Sequence, residues 1–224
     1  MAAAAAAAPT LAVVLCAAAA FFATAHARTA DGDLIAKTCA NATSHGRSLW
    51  PFEFEEFCKS RLRMDKRSAA AKHPRDLALI AMDLTQRAVA DADAKVDGLL
   101  RSGAGHLDNC TALILRNCRL NYAAVASSIP VCRAMAEEYE KPDAANKLAP
   151  SDHFECSRRL RRNTDKCLVR IFRDDELREL LFRDVGEAGL RVVLVQAMQE
   201  EMLGVVNDDD GSLFAVAKLA STTL

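Results

Sequence analysis

Residues 74–102 read PRDLALIAMDLTQRAVADADAKVDGLLRS, and this stretch decides the fold. Apolar side chains recur at Leu77, Ile80, Ala81, Leu84, Ala88, Val89, Ala92, Val96, Leu99 and Leu100. That three-and-four spacing puts them on one stripe of a helix. Pro74 suits the first helical position, and Asp76 places a negative charge against the N-terminal dipole. The run Ser102-Gly103-Ala104-Gly105 ends the helix.

Working outward, further helices are expected over 107–128, 131–139, 152–172 and 176–206, with a short last one over 212–220. Pro130 is expected to kink or restart the second of these, and Gly186 and Gly189 to weaken the fourth. Lys141-Pro142-Asp143 and 207–211 read as turns. Ahead of the long helices, 33–38 and 54–64 form short helical pieces flanking an irregular loop. No stretch shows strand-length alternation bounded by turn residues. The sequence therefore predicts an all-α fold: a four-helix up-down bundle with an N-terminal helical hairpin. Composition agrees. The chain of 224 residues has 51% hydrophobic residues but only 9 Gly and 6 Pro, too few for a many-hairpin sandwich. The balance of 29 basic against 30 acidic residues argues against a nucleic-acid partner, which needs a basic excess.

Residues 1–27 carry no charged side chain. Their apolar run ends at Ala25-His26-Ala27, the small-x-small pattern of a signal peptidase site. Cleavage there leaves 28–224 as one domain. No later stretch approaches 18 uninterrupted apolar residues, so no membrane span is expected after cleavage. Of 8 cysteines, Cys16 leaves with the signal. The remaining seven enter an oxidising compartment where disulfides form. In an antiparallel helical hairpin, facing residue numbers have a nearly constant total. Cys118 opposite Cys156 totals 274 and Cys110 opposite Cys167 totals 277, so each pair supports the other and Cys132 is left over. Bridging Cys39 to Cys58 would stabilise by about 3 kcal/mol in the chain-entropy model. Asn41-Ala42-Thr43 and Asn109-Cys110-Thr111 are glycosylation acceptors, at Asn41 and Asn109.

Taken in order, several segments resemble the plant invertase/pectin methylesterase inhibitor family. They are Leu34-Ile35-Ala36-Lys37-Thr38-Cys39, Phe57-Cys58-Lys59-Ser60-Arg61-Leu62, Asp76-Leu77-Ala78-Leu79-Ile80-Ala81 and Asn117-Cys118-Arg119-Leu120-Asn121-Tyr122-Ala123-Ala124, with Cys156 and then Leu213 to Leu219. The resemblance implies a helical bundle with an N-terminal hairpin, and disulfides Cys39–Cys58 and Cys118–Cys156. It also implies a secreted proteinaceous inhibitor of pectin methylesterase or acid invertase, placed in the cell wall or the vacuole. Such a protein caps an active-site cleft and is not itself an enzyme. The chain departs from the pattern in the wide spacing of Cys39 and Cys58, the additional Cys110, Cys132 and Cys167, and a basic segment after Cys156. The Pro-Lys-Phe turn of invertase inhibitors is absent; Glu140 to Asn146 stands in its place, so the two branches of the family stay open.

By that resemblance Lys141, Pro142, Asp143 and Asn146 form a target-contacting turn; the bland alternative is an ordinary bundle turn. Arg158, Arg162, Lys166 and Arg170 repeat every four residues and form one helical stripe. The stripe fits an acidic cleft, where Arg forks pair carboxylates, or else a solvated face balanced by Asp174, Asp175, Glu176 and Glu179. The aromatic run around Trp50, Phe52, Phe54 and Phe57 reads as a contact patch or as a staple between hairpin and bundle. His45, His73, His106 and His153 are scattered, and no metal-ligand spacing or nucleotide fingerprint appears. No cofactor, metal or catalytic residue is expected. Two other readings remain: a non-inhibitory interaction or structural protein of the same fold, and a carrier of small apolar ligands. The sequence leaves the oligomeric state unknown.

Overall fold

Six helices carry the fold of the computed structural model, which describes residues 33–44, 51–103, 107–139 and 149–204. They are α1 (Leu34–Ser44), α2 (Pro51–Arg63), α3 (Pro74–Ser102), α4 (Asn109–Glu137), α5 (Pro150–Phe172) and α6 (Asp175–Leu203), with a 3₁₀ turn at Lys66–Ala70. No strand occurs among the described residues. The segment 1–27, the turns expected at Lys141-Pro142-Asp143 and over 207–211, and the last helix expected over 212–220 lie outside the described residues.

The short links between successive long helices force antiparallel neighbours. α3 packs on α4, α4 on α5 and α5 on α6, and α6 closes the ring against α3. α1 pairs with α2, and that hairpin rests on α3 and α6. The expected stripe of α3 is buried from Leu77 to Val96. α4 contributes Leu115, Cys118, Tyr122, Val125, Ile129, Cys132 and Ala136, spaced three or four apart. α5 is poorer in large apolar residues: Leu160 and Ile171 share its buried line with His153, Ser157, Thr164 and Cys167.

Local chemistry sets the ends. Asp76 accepts from the backbone of Lys72 and His73 at 2.9 and 3.1 Å, closing the entry to α3. Asp108 caps α4 by accepting from Cys110 N at 2.7 Å and Thr111 N at 3.0 Å. Gly204 ends α6 at φ 65°, a left-handed backbone that suits glycine.

Several expectations need correction. α4 runs unbroken through Pro130. Pro130 and Ala126 both face solvent, so water can satisfy the carbonyl that proline leaves without a donor. α6 likewise passes Gly186 and Gly189 without a break; a Cβ at Gly189 would meet only Leu168 Cδ2, at 3.8 Å. The larger correction concerns the cysteines. Cys39 is bonded to Cys58. Cys118 is bonded to Cys167 and not to Cys156, while Cys132 is bonded to Cys156. Cys110, expected opposite Cys167, is a free and exposed thiol. The observed pairs total 285 and 288, so the constant-total rule holds but the register is eleven residues further along. The two ends facing across the turn, Glu137 and Pro150, total 287 and set that register. Eleven residues is about three helical turns, which keeps the same face.

Candidate functional site

The end of the bundle where α4 hands over to α5 holds the base of the expected contact turn. Lys141, Pro142, Asp143 and Asn146 themselves lie outside the described residues, but both flanks are fixed. The Cys132–Cys156 disulfide joins the helices at a Cα–Cα distance of 5.7 Å. Asp152 accepts from Ala149 N at 2.9 Å and closes the first turn of α5. Tyr139 sets its ring edge-on to His153, with centroids 5.4 Å apart. On the other side, the Arg75 guanidinium of α3 lies 3.5 Å from the carbonyls of Glu137 and Tyr139.

His153 is wholly buried, and neither ring nitrogen has a hydrogen-bond partner. Burial pushes its pKa below the ordinary value, against a smaller opposing pull from Asp152. No pattern in the sequence distinguished this histidine from His73, which is exposed; only its place on the buried line of α5 does.

Of the basic stripe, Arg162, Lys166 and Arg170 lie exposed on one line, and Arg158 leaves it. Arg158 is half-buried and lies 3.6 Å from Glu155. Arg161 turns toward α6, reaching Gln196 Oε1 at 3.2 Å and Asp165 at 3.7 Å. The exposed cations are Arg159, Arg162, Lys166, Arg170 and Arg173. Glu155 pairs with Arg162 at 2.6 Å and approaches Arg159 at 3.9 Å. Of the acidic residues that follow, two are engaged within α6 itself. Asp174 caps α6 at Leu177 N, and Asp175 pairs with Arg178.

Beside that ridge, α4 exposes Leu113, Leu120 and Val131, a strip the sequence reading did not single out. Phe54 is buried in the core and Phe57 is half-buried under the Arg61 guanidinium, so these two rings hold the hairpin to the bundle. The sequon residues Asn41 and Asn109 are both exposed. An open groove of about 540 Å³ runs between the 3₁₀ turn, α3 and α6, and most of its charged side chains are already paired. Glu187 meets Arg61 and Arg191, Asp184 meets Lys95, and Asp65 meets Arg67 and Arg87. No helix among the described residues is long and apolar enough to cross a membrane.

Comparison with known proteins agrees with this architecture. No curated protein and no solved structure matched the chain. A sequence model described as plant invertase/pectin methylesterase inhibitor matches residues 33–169, from the first turn of α1 to near the end of α5. Those 137 of 224 residues include the hairpin, three bundle helices and all three disulfides. With a disulfide-braced, all-helical bundle as its structure, the chain belongs to the plant invertase/pectin methylesterase inhibitor family.

Proposed function

We propose that the chain is secreted after loss of residues 1–27 and inhibits a pectin methylesterase or an acid invertase by occluding its active-site cleft. The family is one of inhibitors, not enzymes. The observation that carries the reading is the anchoring of the described flanks on either side of residues 140–148. A disulfide, a helix cap, a buried aromatic contact and an arginine from α3 all converge on its flanks. A contact segment whose two ends are fixed loses less conformational entropy on docking than one with free ends, and that favours binding. Lys141, Pro142, Asp143 and Asn146 supply the contacts in this reading, with Arg158 and Arg162 beside them. Glycans on Asn41 and Asn109 belong to the same secreted protein, in the wall or the vacuole.

The test is a titration of the mature protein against both enzyme classes at several acidic pH values. Residual activity should fall in proportion to the inhibitor added and reach its floor near one equivalent. Full activity of both enzymes at large molar excess overturns the proposal. A second reading, a non-inhibitory interaction protein of the same fold, is favoured by the absence of the Pro-Lys-Phe turn. Binding to a wall enzyme with no change in its rate would select it.

A further inference from the structure

We propose that the exposed ridge of α5 binds a linear acidic polysaccharide, one whose sugar rings carry free carboxylates. The ridge is Arg159, Arg162, Lys166, Arg170 and Arg173, spaced three and four residues apart and all exposed. At 1.5 Å per residue it extends over about 21 Å along the helix. Glu155 serves Arg159 and Arg162 at one end, while no carboxylate among the described residues pairs with Lys166, Arg170 or Arg173. Of the two helices packed against α5, α4 adds no acid to this face, because residues 109–136 contain no Asp or Glu, while α6 carries the exposed Glu176 and Glu179 in its first turns. Two of the three cations of α4 are used elsewhere, Arg119 pairing with Asp93 and Asp97 and Arg133 with Asp83, while Arg116 is exposed. A chain of net charge −1 has therefore segregated a row of cations on one bundle edge.

The form of the row selects the ligand. Evenly spaced flexible cations on a straight helix match an extended polymer with evenly repeated anions, since many weak ion pairs add along its length. α5 exposes no aromatic side chain on this line to act as the anchor of a protein interface. Methyl esterification of the polymer would abolish recognition by removing its charge. The ligand is then what a pectin methylesterase makes by its own chemistry, a carboxylate from a methyl ester. Binding does not require inhibition, so a chain that inhibits neither enzyme leaves this proposal testable.

The experiment measures retention of the mature protein by polygalacturonate and by fully methyl-esterified pectin at low and moderate salt. Polygalacturonate should bind at low salt and release as salt rises, and the esterified polymer should not bind. K166Q/R170Q/R173Q should weaken binding at least tenfold, with the helical circular dichroism and disulfides unchanged. A charge-matched control, K72Q/R101Q/R183Q, removes exposed cations from the α3 and α6 side and should retain the wild-type affinity. Four results would overturn the proposal: no binding to polygalacturonate, equal binding to the esterified polymer, equal loss in both triple variants, or equal binding to polyglutamate or to anionic vesicles.

Discussion

His153 and Tyr139 meet edge to face across the mouth of the α4–α5 hairpin, one ring on the first turn of α5 and the other at the exit of α4. The contact couples an ionisable group to the flank of the proposed contact turn. Asp152 is the charged neighbour in sequence, and the Arg75 guanidinium approaches the same α4 exit through the Tyr139 carbonyl. The Cys132–Cys156 disulfide stands beside them.

This arrangement makes stability depend on pH in one direction. The folded protein holds the His153 pKa below its ordinary 6.5 because burial disfavours the imidazolium. The unfolded chain therefore takes up the proton first as pH falls, and stability present above about 6.5 is lost as pH drops through the folded value. Denaturant midpoints measured across mildly acidic pH should decline for the wild type. H153F keeps a ring against Tyr139 and removes the titration, so its profile should be flatter. An unchanged slope in H153F rejects the coupling.

The two inter-helix disulfides should differ in what they control. Each closes a loop, of 49 residues for Cys118–Cys167 and 24 for Cys132–Cys156, so loss of either should cost about 2–5 kcal/mol. Only the second stands at the base of the turn. C132S/C156S is expected to reduce inhibition beyond what its stability loss explains, whereas C118S/C167S should lower the melting temperature and leave the inhibitory equivalence point in place. Non-reducing peptide maps should show both bonds, and Cys110 should be the thiol that labels without unfolding.

How far the sequence could be read follows from which residues carried a directional signal. The stripe from Leu77 to Val96 has one geometric solution, so α3 was legible to its ends. Cys118 did not. Cys156 and Cys167 lie on the same face of α5, three turns apart, and the constant-total rule accepts either. The register became fixed only with the turn ends Glu137 and Pro150. Of the basic stripe, Arg162, Lys166 and Arg170 are exposed along one line and Arg158 departs from it. Arg158 and Arg159 differ by about 100° around the helix; Arg158 shares its side with the buried Asp165 two turns on, whereas Arg159 lines up with the exposed Lys166. Of the candidate site, the flanks were readable as helix ends. His153 carried no local signal, because its role comes from what packs around it.

Tyr122 offers a test of the core. It is about fully buried in the middle of α4, and its hydroxyl has no partner; burial raises its pKa, with smaller contributions from Asp93 and Asp184. A buried hydroxyl without a hydrogen bond costs free energy that its removal recovers. Y122F should therefore be neutral or stabilising by up to about 1 kcal/mol, while Y122A should cost about 3–5 kcal/mol through the cavity it leaves. Chemical denaturation of both variants checks the pair, and a clear loss in Y122F would point to an internal hydrogen bond.

Asp65 sets the acid limit of the hairpin's attachment. Its carboxylate caps the 3₁₀ turn by accepting from Arg67 N at 3.0 Å and pairs with the same residue's guanidinium at 2.8 Å. Arg67 in turn reaches Asp83 on α3 at 2.6 Å, and Arg133 of α4 meets the other oxygen of Asp83. One chain of ions thus links the turn after α2 to two bundle helices. The Arg67 hydrogen bond, the largest cause, lowers the Asp65 pKa from 3.8 to about 2. The unfolded chain protonates first, so this stability is present above about pH 4 and disappears as pH falls through 2. D65N keeps a side chain able to cap but removes the charge, so it should lose part of the acid sensitivity and little of the turn. D65A removes both and should cost about a further 1 kcal/mol at neutral pH, the usual worth of an N-cap. Unfolding by acid, followed by circular dichroism for the three proteins, separates the cap from the ion pair: coincident D65N and D65A curves would mean that the charge alone matters.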